Sequence, residues 1–253
     1  MIKSLFTDDS KYNWSSINEA SYKLSLIGGE AVVNSIIDYF THRKLENCND
    51  IVIFLNTLTS NFAFIYQDES IVIAAVDRIS SYNIFYNKSG NVTQFSNSSR
   101  LLANKCKETI VNKSSLLGLK MTGYVLGKNT LLINIYRIGS GEFACYNKNK
   151  RKLEINEYTK FYSHKSINRS QDDLIEELDH ITDKIFLRNI SNANGSTIWV
   201  PLSGGIDSRF VLCKLLQLGY DNIRTFSFGI PNNYDALRAQ EVAKKLNVDW
   251  TFL

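Results

Sequence analysis

Six consecutive residues, Ser203, Gly204, Gly205, Ile206, Asp207 and Ser208, combine types and order that can do chemistry. Before them stands the apolar stretch Trp199-Val-Pro-Leu202, and after them runs Arg209-Phe-Val-Leu-Cys-Lys-Leu-Leu216. The pattern predicts a short strand, a tight glycine turn and an amphipathic helix. Such a turn leaves unpaired backbone N–H groups at a helix N-terminus, where phosphate oxygens can accept them. Gly204 and Gly205 are expected to let the backbone approach an oxyanion closely and to visit φ > 0. Asp207 is a hard oxygen ligand suited to Mg²⁺, and Ser203 and Ser208 add hydroxyl donors. Five fixed positions, at roughly 7% usage each, recur by chance in about 10⁻³ or fewer chains of this length. The bland alternative is a Gly-Gly turn followed by a helix whose dipole Asp207 favours.

The surrounding elements must place that turn at one edge of a sheet. Downstream, a helix ending at Gly219, a strand at 223–228, a turn at Gly229-Ile-Pro-Asn-Asn, a helix from Asp235 to Leu246 and a strand from Trp250 follow in order. Strand, helix, strand, helix, strand is a parallel, doubly wound pattern whose ligand belongs at the C-terminal strand ends. Upstream, Ser170 or Asp172 can cap a helix whose Leu174, Leu178, Ile181 and Ile185 make one apolar face. A linker is expected between Tyr158 and Arg169. The first 160 residues read as short strands with two helices, one over Glu30–Phe40 and one near Leu55. The strand series is Phe62–Tyr66, Ile71–Val76, Asn83–Asn87, Gln94–Ser96, Leu131–Tyr136 and Glu142–Tyr146. Lys148-Asn-Lys-Arg-Lys152 is expected to be a solvated hairpin tip.

Composition narrows the class. The chain has 253 residues with 44% hydrophobic and 12% aromatic content, enough for packed cores. A net charge of only +4, with scattered lysines and arginines, argues against nucleic acid as partner. No apolar run approaches the ~18 residues of a membrane span, and the N-terminus lacks the apolar core of a signal peptide. A soluble, cytoplasmic protein is expected. Cys48, Cys106, Cys145 and Cys213 are widely separated and form no C-x-x-C pair, so four free thiols in a reducing cytosol are expected. His42, His164 and His180 form no local ligand cluster.

The stretch from Ser203 to Ser208 resembles the signature SGGxDS of the PP-loop ATP pyrophosphatases, and no Walker-type Gly-Lys-Ser/Thr follows it. With Val200-Pro-Leu202 and Thr225-Phe-Ser-Phe-Gly-Ile230, the resemblance is strongest to asparagine synthetase. Asn56–Tyr66, Val76–Asn87, Ser96–Leu102 and Gly123–Leu131 resemble, in order, segments of that family's N-terminal glutaminase domain. The resemblance implies an α/β protein. Residues 1–160 would be a glutaminase-like domain, an αββα sandwich of the N-terminal nucleophile hydrolase type. Residues 170–253 would be the first part of a parallel, doubly wound PP-loop domain.

The same resemblance implies an ATP-dependent amide-forming ligase that adenylates a carboxylate and releases AMP and pyrophosphate. ATP would be held by Leu202, Ser203, Gly204, Gly205, Asp207, Ser208, Phe228 and Gly229, with Asp207 on Mg²⁺ and Phe228 against the base. Arg209 is a further candidate for a phosphate. The partners would be a small-molecule or peptide carboxylate and an amine or ammonia, with no membrane, and a homodimer is one expectation for assembly. Where the family's active glutaminases carry a nucleophilic cysteine, at position 2, this sequence has Ile2, and the family's Asn-Gly-Glu and Gly-Ser-Asp glutamine-binding stretches are missing. No glutaminase activity is therefore expected. Nor does the family's second loop, S-G-E-G-x-D-E, follow by Leu253. The chain is thus expected to be the front part of a longer protein or a truncated gene product, and inactive alone. The alternatives are a non-catalytic family member acting as an assembly partner, and another adenylating PP-loop enzyme.

Overall fold

The computed structural model describes residues 6–7, 13–43, 45, 47–88, 93–161, 168–231 and 233–253. The chain divides into two compact units, Met1–Tyr162 and Ser163–Leu253.

The first unit is built around two strands with no polar face. Strand β4 (Phe62–Gln67) and strand β5 (Ile71–Val76) are buried along their whole length, as unbroken apolar runs of this length predict. They pair antiparallel, with Phe64 opposite Ala75 and Tyr66 opposite Ile73, so that bulky and smaller side chains alternate across the ladder. Asp68 sets the turn between them, its Oδ1 accepting from the amides of Ser70 (2.7 Å) and Ile71 (2.8 Å). Around this pair β2 (Ser15–Asn18), β3 (Lys23–Gly28), β9 (Glu142–Asn147) and β10 (Lys152–Glu157) complete a six-stranded antiparallel sheet in the order β10-β9-β5-β4-β3-β2.

Side chains of a strand point alternately to opposite faces, and here each face has its own core. Phe62, Phe64, Tyr66, Ile73 and Phe143 meet helix α1 (Glu30–His42) and helix α2 (Val52–Thr57). From α1 come Val32, Ile36, Tyr39 and Phe40 at helical spacing, each worth about 1.5–3 kcal/mol on burial. Ala63, Ile65, Val72, Ala74 and Val76 face the other way, onto Ile84, Tyr86 and Phe95. These belong to or flank a second sheet of β1 (Phe6–Thr7), β6 (Phe85–Asn87), β7 (Phe95–Ser96) and β8 (Ile135–Arg137), ordered β1-β7-β6-β8. Helix α3 (Ser99–Cys106), capped by Ser98, lies against β6, β7 and β8. The layers therefore run helix, sheet, sheet, helix. Helix α4 (Lys113–Thr122) is capped by Asn112 and ends at Gly123, which takes φ 81°.

Several expectations change here. The strand expected over 131–136 is confined to β8, because Asn134 adopts φ 63° and breaks the extended run. Strands β2 and β3 and helices α3 and α4 stand where no element was expected, although Leu24 and Leu26 of β3 carry the alternation of a half-buried strand. Tyr158 is part of the first core rather than of a linker: its ring is buried and its hydroxyl donates to the Val76 carbonyl at 2.9 Å. The basic run 148–152 does fall at the β9–β10 turn. Ile2 lies outside the described residues. Arg78, just after β5, clamps the carbonyls of Leu58 (2.8 Å) and Asn56 (3.0 Å).

The expectation of four free thiols is corrected. Cys48, in the α1–α2 connection, forms a disulfide with Cys145 of β9 across a sequence separation of 97, while Cys106 and Cys213 are free. Linear spacing gave no sign of it, because the fold alone brings the α1–α2 connection over the middle of β9.

The second unit carries three parallel strands, β11 (Ile198–Pro201), β12 (Ile223–Ser227) and β13 (Asp249–Phe252), in that order. Helix α6 (Ile206–Gln217) and helix α7 (Tyr234–Lys245) connect them, and Val200, Leu202, Leu212, Leu215, Ile223, Ala239 and Ala243 form the core. Gly219, as expected, ends α6: it takes φ 79°, and the amide of Tyr220 bonds back to the Leu215 carbonyl at 3.0 Å. Helix α5 (Gln171–Ala193) precedes the sheet and is capped by Ser170. Its apolar face of Leu174, Leu178, Ile181 and Ile185 is not the face that meets the core. Leu174, Leu178, Ile181 and Ile185 are exposed, and Phe186 and Ile190, on the opposite side, meet the core.

Thiol titration of the unreduced protein in denaturant should find only Cys106 and Cys213 reactive, and reduction should release two more thiols. Reduction, or Cys48→Ser, should destabilise the first unit by about 2–4 kcal/mol in urea unfolding, the typical contribution of a disulfide closing a long loop.

Candidate functional site

Parallel pairing puts the C-terminal ends of β11 and β12 at one edge of the sheet. Leu202 leaves β11 at that edge, buried, its amide bonded to the Phe226 carbonyl (2.8 Å) and its own carbonyl accepting from Ser227 Oγ (2.7 Å). The chain is thereby pinned to β12 just before it turns. Ser203, Gly204 and Gly205 make the turn, and Ile206 begins α6.

The turn is closed by its own hydroxyls. Ser203 Oγ and Ser208 Oγ lie 3.1 Å apart, the Ser203 amide donates to Ser208 Oγ (3.1 Å), and the Gly205 amide donates to Ser203 Oγ (3.2 Å). Arg209, a candidate for a phosphate, instead donates from Nε to the Gly205 carbonyl at 3.0 Å and so braces the turn from the helix side. The helices that flank α6 in this unit are capped by side chains, α5 by Ser170 and α7 by Asn233. No side chain caps α6, whose N-cap is Gly205. Its first-turn amides and the positive end of its dipole are thus left to an external acceptor.

The reason for the two glycines differs from the expected one. Neither Gly204 nor Gly205 takes a positive φ; Gly205 sits at φ −78°, ψ 164°, which any residue adopts. Gly204 lies against α7: a Cβ there would lie 2.7 Å from Asp235 Oδ1, so that this side chain would have to turn aside, and 3.5 Å from Arg238 Cβ. The first turn of α7 therefore rests directly on the loop. Asp235 is the residue that sequence reasoning missed, because only the fold of the second crossover brings its carboxylate against Gly204.

Asp207, in the first turn of α6, is exposed. No group of three or more His, Cys, Asp or Glu side chains is gathered for a metal among the described residues. One carboxylate beside an uncapped helix N-terminus nevertheless fits the way Mg²⁺ binds, through one or two carboxylates with substrate phosphates and water. Phe228 and Gly229 follow β12 at the same edge. Phe228 is exposed and stacks at 6.4 Å on Phe226, and Gly229 holds φ 122°. The structure thus gathers Leu202, Ser203, Gly204, Gly205, Asp207, Ser208, Phe228 and Gly229 at one sheet edge, while Asp221 lies in the connection entering β12, at the opposite end.

Helix α6 is held from behind by a buried charge. Lys214 Nζ lies 2.6 Å from Asp179 Oδ1 and 2.6 Å from Asp183 Oδ1 of α5. The hydrogen bond to Asp179, and then the contact with Asp183, raise its pKa above the ordinary lysine value. A lysine raised in the folded state contributes stability that is complete below the unfolded pKa and is lost as pH rises through the folded one. Lys214→Met should therefore lower the melting temperature of the second unit by an amount that is steady between about pH 6 and pH 9. The deficit should shrink above about pH 10.4, the unfolded lysine value. Differential scanning calorimetry of both proteins across pH checks this.

Comparison with known proteins bears on this same unit. Residues 197–253 match the family model of asparagine synthase. No curated protein matches the chain significantly. One similar solved structure is described as the allosteric regulatory enzyme of purine biosynthesis. It has 11% identity and a TM-score of 0.29, and the match covers 60% of this chain and 31% of that one. Another is glutamine phosphoribosylpyrophosphate amidotransferase from B. subtilis complexed with ADP and GMP. That match has 8% identity and a TM-score of 0.31, and covers 96% of this chain and 73% of the other. At those scores neither likeness bears on what this chain does. The family match spans β11, the Ser203–Ser208 turn, α6, β12, α7 and β13, and over these residues the chain is similar to asparagine synthase.

Proposed function

We propose that this chain supplies the phosphate-binding edge of an ATP-dependent, amide-forming ligase that adenylates a carboxylate. The observation that carries the reading is the uncapped N-terminus of α6 behind Ser203–Gly205, at the C-terminal edge of a parallel sheet, inside the segment that matches asparagine synthase. The amides of the first turn of α6 would receive phosphate oxygens, and the hydroxyls of Ser203 and Ser208 would exchange their mutual bond for bonds to the nucleotide. Leu202, whose amide is bonded to Phe226, would offer the remaining lone pair of its carbonyl to the nucleoside end, Gly229 its backbone, and Phe228 an exposed ring. Asp207 would hold Mg²⁺, which when bound offsets the charge of the phosphates. Asp235 keeps the loop pressed to α7 through its contact with Gly204.

With the β- and γ-phosphates seated on α6, the α-phosphorus is left open. A substrate carboxylate oxygen attacks it, the bond to the bridging oxygen breaks, and pyrophosphate departs, leaving an acyl-adenylate. An amine or ammonia then attacks the acyl carbon and expels AMP, forming the amide. The loop lacks the lysine with which Walker loops neutralise charge during γ-phosphoryl transfer. Stabilisation of departing pyrophosphate by fixed dipoles is the main electrostatic contribution available to it.

The first unit would act without glutamine hydrolysis. Ile2 provides no nucleophile. A cleft of about 190 Å³ beside two of the glutaminase-like segments is lined by Trp14, Tyr82, Asn83, Asn97 and neighbouring serines, with no cysteine in its lining. A cytoplasmic setting belongs to the same reading, and there the Cys48–Cys145 disulfide would have to withstand a reducing environment; no helix among the described residues is long and apolar enough to cross a membrane.

The test is the nucleotide product of the protein that contains this chain in full. Chromatography should show AMP and pyrophosphate formed together in the presence of a carboxylate and an amine; stoichiometric ADP would refute the reading. Asp207→Ala should weaken Mg²⁺-dependent ATP binding at least about tenfold, the loss of a charge-assisted contact, whereas Asp221→Ala should leave it unchanged. Glutamate should not be released from glutamine above background.

A further inference from the structure

The register of β9 puts the disulfide on the floor of a charged cavity. Cys145 stands opposite Glu154, and Asn147 opposite Lys152, on β10. On the other side Cys145 faces Ile73 and Asn147 faces Ile71 of β5. Residues directly opposite one another in a ladder share a face, so Ile71, Cys145, Asn147, Lys152 and Glu154 line one surface of the sheet. The α1–α2 connection crosses that surface and is fastened to it by Cys48. Between connection and sheet lies a cavity of about 430 Å³, lined also by both cysteines, Asn47, Asn49 and Lys150. Small-molecule sites fall in the range of about 300–1,000 Å³.

The two sulfurs are not equivalent. Cys145 is fully buried and Cys48 is half-buried, so the part of the disulfide open to the cavity belongs to Cys48. The lining carries two ammonium groups, Lys150 and Lys152, against one carboxylate, Glu154, which is paired with Lys152 at 2.7 Å. Asn47 and Asn147 have their carboxamide oxygens taken by the backbone amides of Asn49 (3.0 Å) and Lys150 (2.9 Å). What each offers a ligand is therefore its N–H donors. Such a lining selects a carboxylate.

We propose that this cavity is a thiol–disulfide exchange site, at which a small thiol carrying carboxylate groups attacks Cys48 and Cys145 is the thiol that restores the bond. The entering thiolate sulfur bonds to Cys48 Sγ, the Cys48–Cys145 bond breaks, and its electron pair leaves on Cys145 Sγ, which takes a proton. A second thiolate then attacks the sulfur of the bound small thiol. That step releases the small-molecule disulfide and Cys48 thiolate, so two small thiols are oxidised and one protein disulfide is reduced. Alternatively, Cys145 as thiolate attacks Cys48 Sγ and expels the small thiol. Tyr39 favours this return, because it keeps the connection in place without the bond: its hydroxyl donates to the Asp50 carbonyl at 3.1 Å and its ring stacks on Phe54 at 3.9 Å. Reclosure is what would let the bond persist among reducing thiols. The inference uses no residue of the phosphate edge and stands or falls independently of the ligase reading.

Acid quenching, alkylation and peptide mass mapping of the folded, full chain test it. The probes are 3-mercaptopropionate, 2-mercaptoethanol and cysteamine, which are anionic, neutral and cationic. Each rate of opening is divided by that probe's rate on a small neutral disulfide, which removes differences in intrinsic nucleophilicity. The ratio for 3-mercaptopropionate should exceed that for cysteamine at least about tenfold. The earliest product should carry the probe on Cys48 and the alkylating label on Cys145. Lys150→Glu, on the exposed turn, should reverse the order of the charged probes and change the 2-mercaptoethanol ratio by less than about twofold. Cys145→Ser, given the disulfide of 3-mercaptopropionate, should hold the probe on Cys48, whereas the unaltered chain should regain its Cys48–Cys145 bond once the thiol is removed. Opening only in denaturant, equal ratios for the three probes, a probe found first on Cys145, or a preference unchanged by Lys150→Glu would each overturn the proposal.

Discussion

An antiparallel pair of strands buried on both faces must hand alternate side chains to two different cores, and β4 and β5 do this along their whole length. Phe62, Phe64 and Tyr66 go to the helices, and Ala63 and Ile65 go to the second sheet. A slip of one residue in either strand would exchange the two sets and put phenylalanine rings where alanine and valine now fit. The register Phe64–Ala75 and Tyr66–Ile73 is therefore the constraint on which the layer order depends. Asp68 fixes it at one end through the turn amides, and Asp77 fixes it at the other, accepting from the Phe62 amide at 3.1 Å.

The second unit obeys a different constraint. Its sheet is parallel, so strand ends of one kind share an edge, and whatever the first two turns carry is collected there. Two contacts then shape that edge. Leu202 is tied to β12 before the turn, and Asp235 of α7 rests on Gly204 after it. Between them α6 presents a first turn without a side-chain cap. Behind it, Lys214 secures the same helix to α5 through two carboxylates. The electrostatic design is consistent along one helix: a dipole end facing solvent at the loop, and a paired, buried ammonium on the side turned to α5.

Much of the architecture was legible from local pattern. The long apolar runs, the helix over Glu30–Phe40, the strand–turn–helix around Ser203–Ser208, the cap at Ser170 and the glycine stop at Gly219 all follow from chemistry within a few residues. The misreadings share a cause. Leu174, Leu178, Ile181 and Ile185 form the stronger apolar stripe of α5, yet the helix turns its other side inward, where Lys214 can reach Asp179 and Asp183. Periodicity identifies a stripe but cannot weigh it against an ion pair contributed by another helix. The strand expected from Leu131 fails at Asn134, whose left-handed backbone no apolar count foretells.

What the sequence determined by itself was the order of the elements from α5 to β13 and the identity of the six residues of the turn, because turns, caps and alternation are short-range properties of the chain. What only the tertiary structure decided was which distant groups meet. Cys48 finds Cys145 because α1 and α2 pack on the face of β9, and Asp235 meets Gly204, whose φ is not positive, because the second crossover returns beside the first. These are consequences of packing between elements far apart in sequence, and no local spacing encodes them.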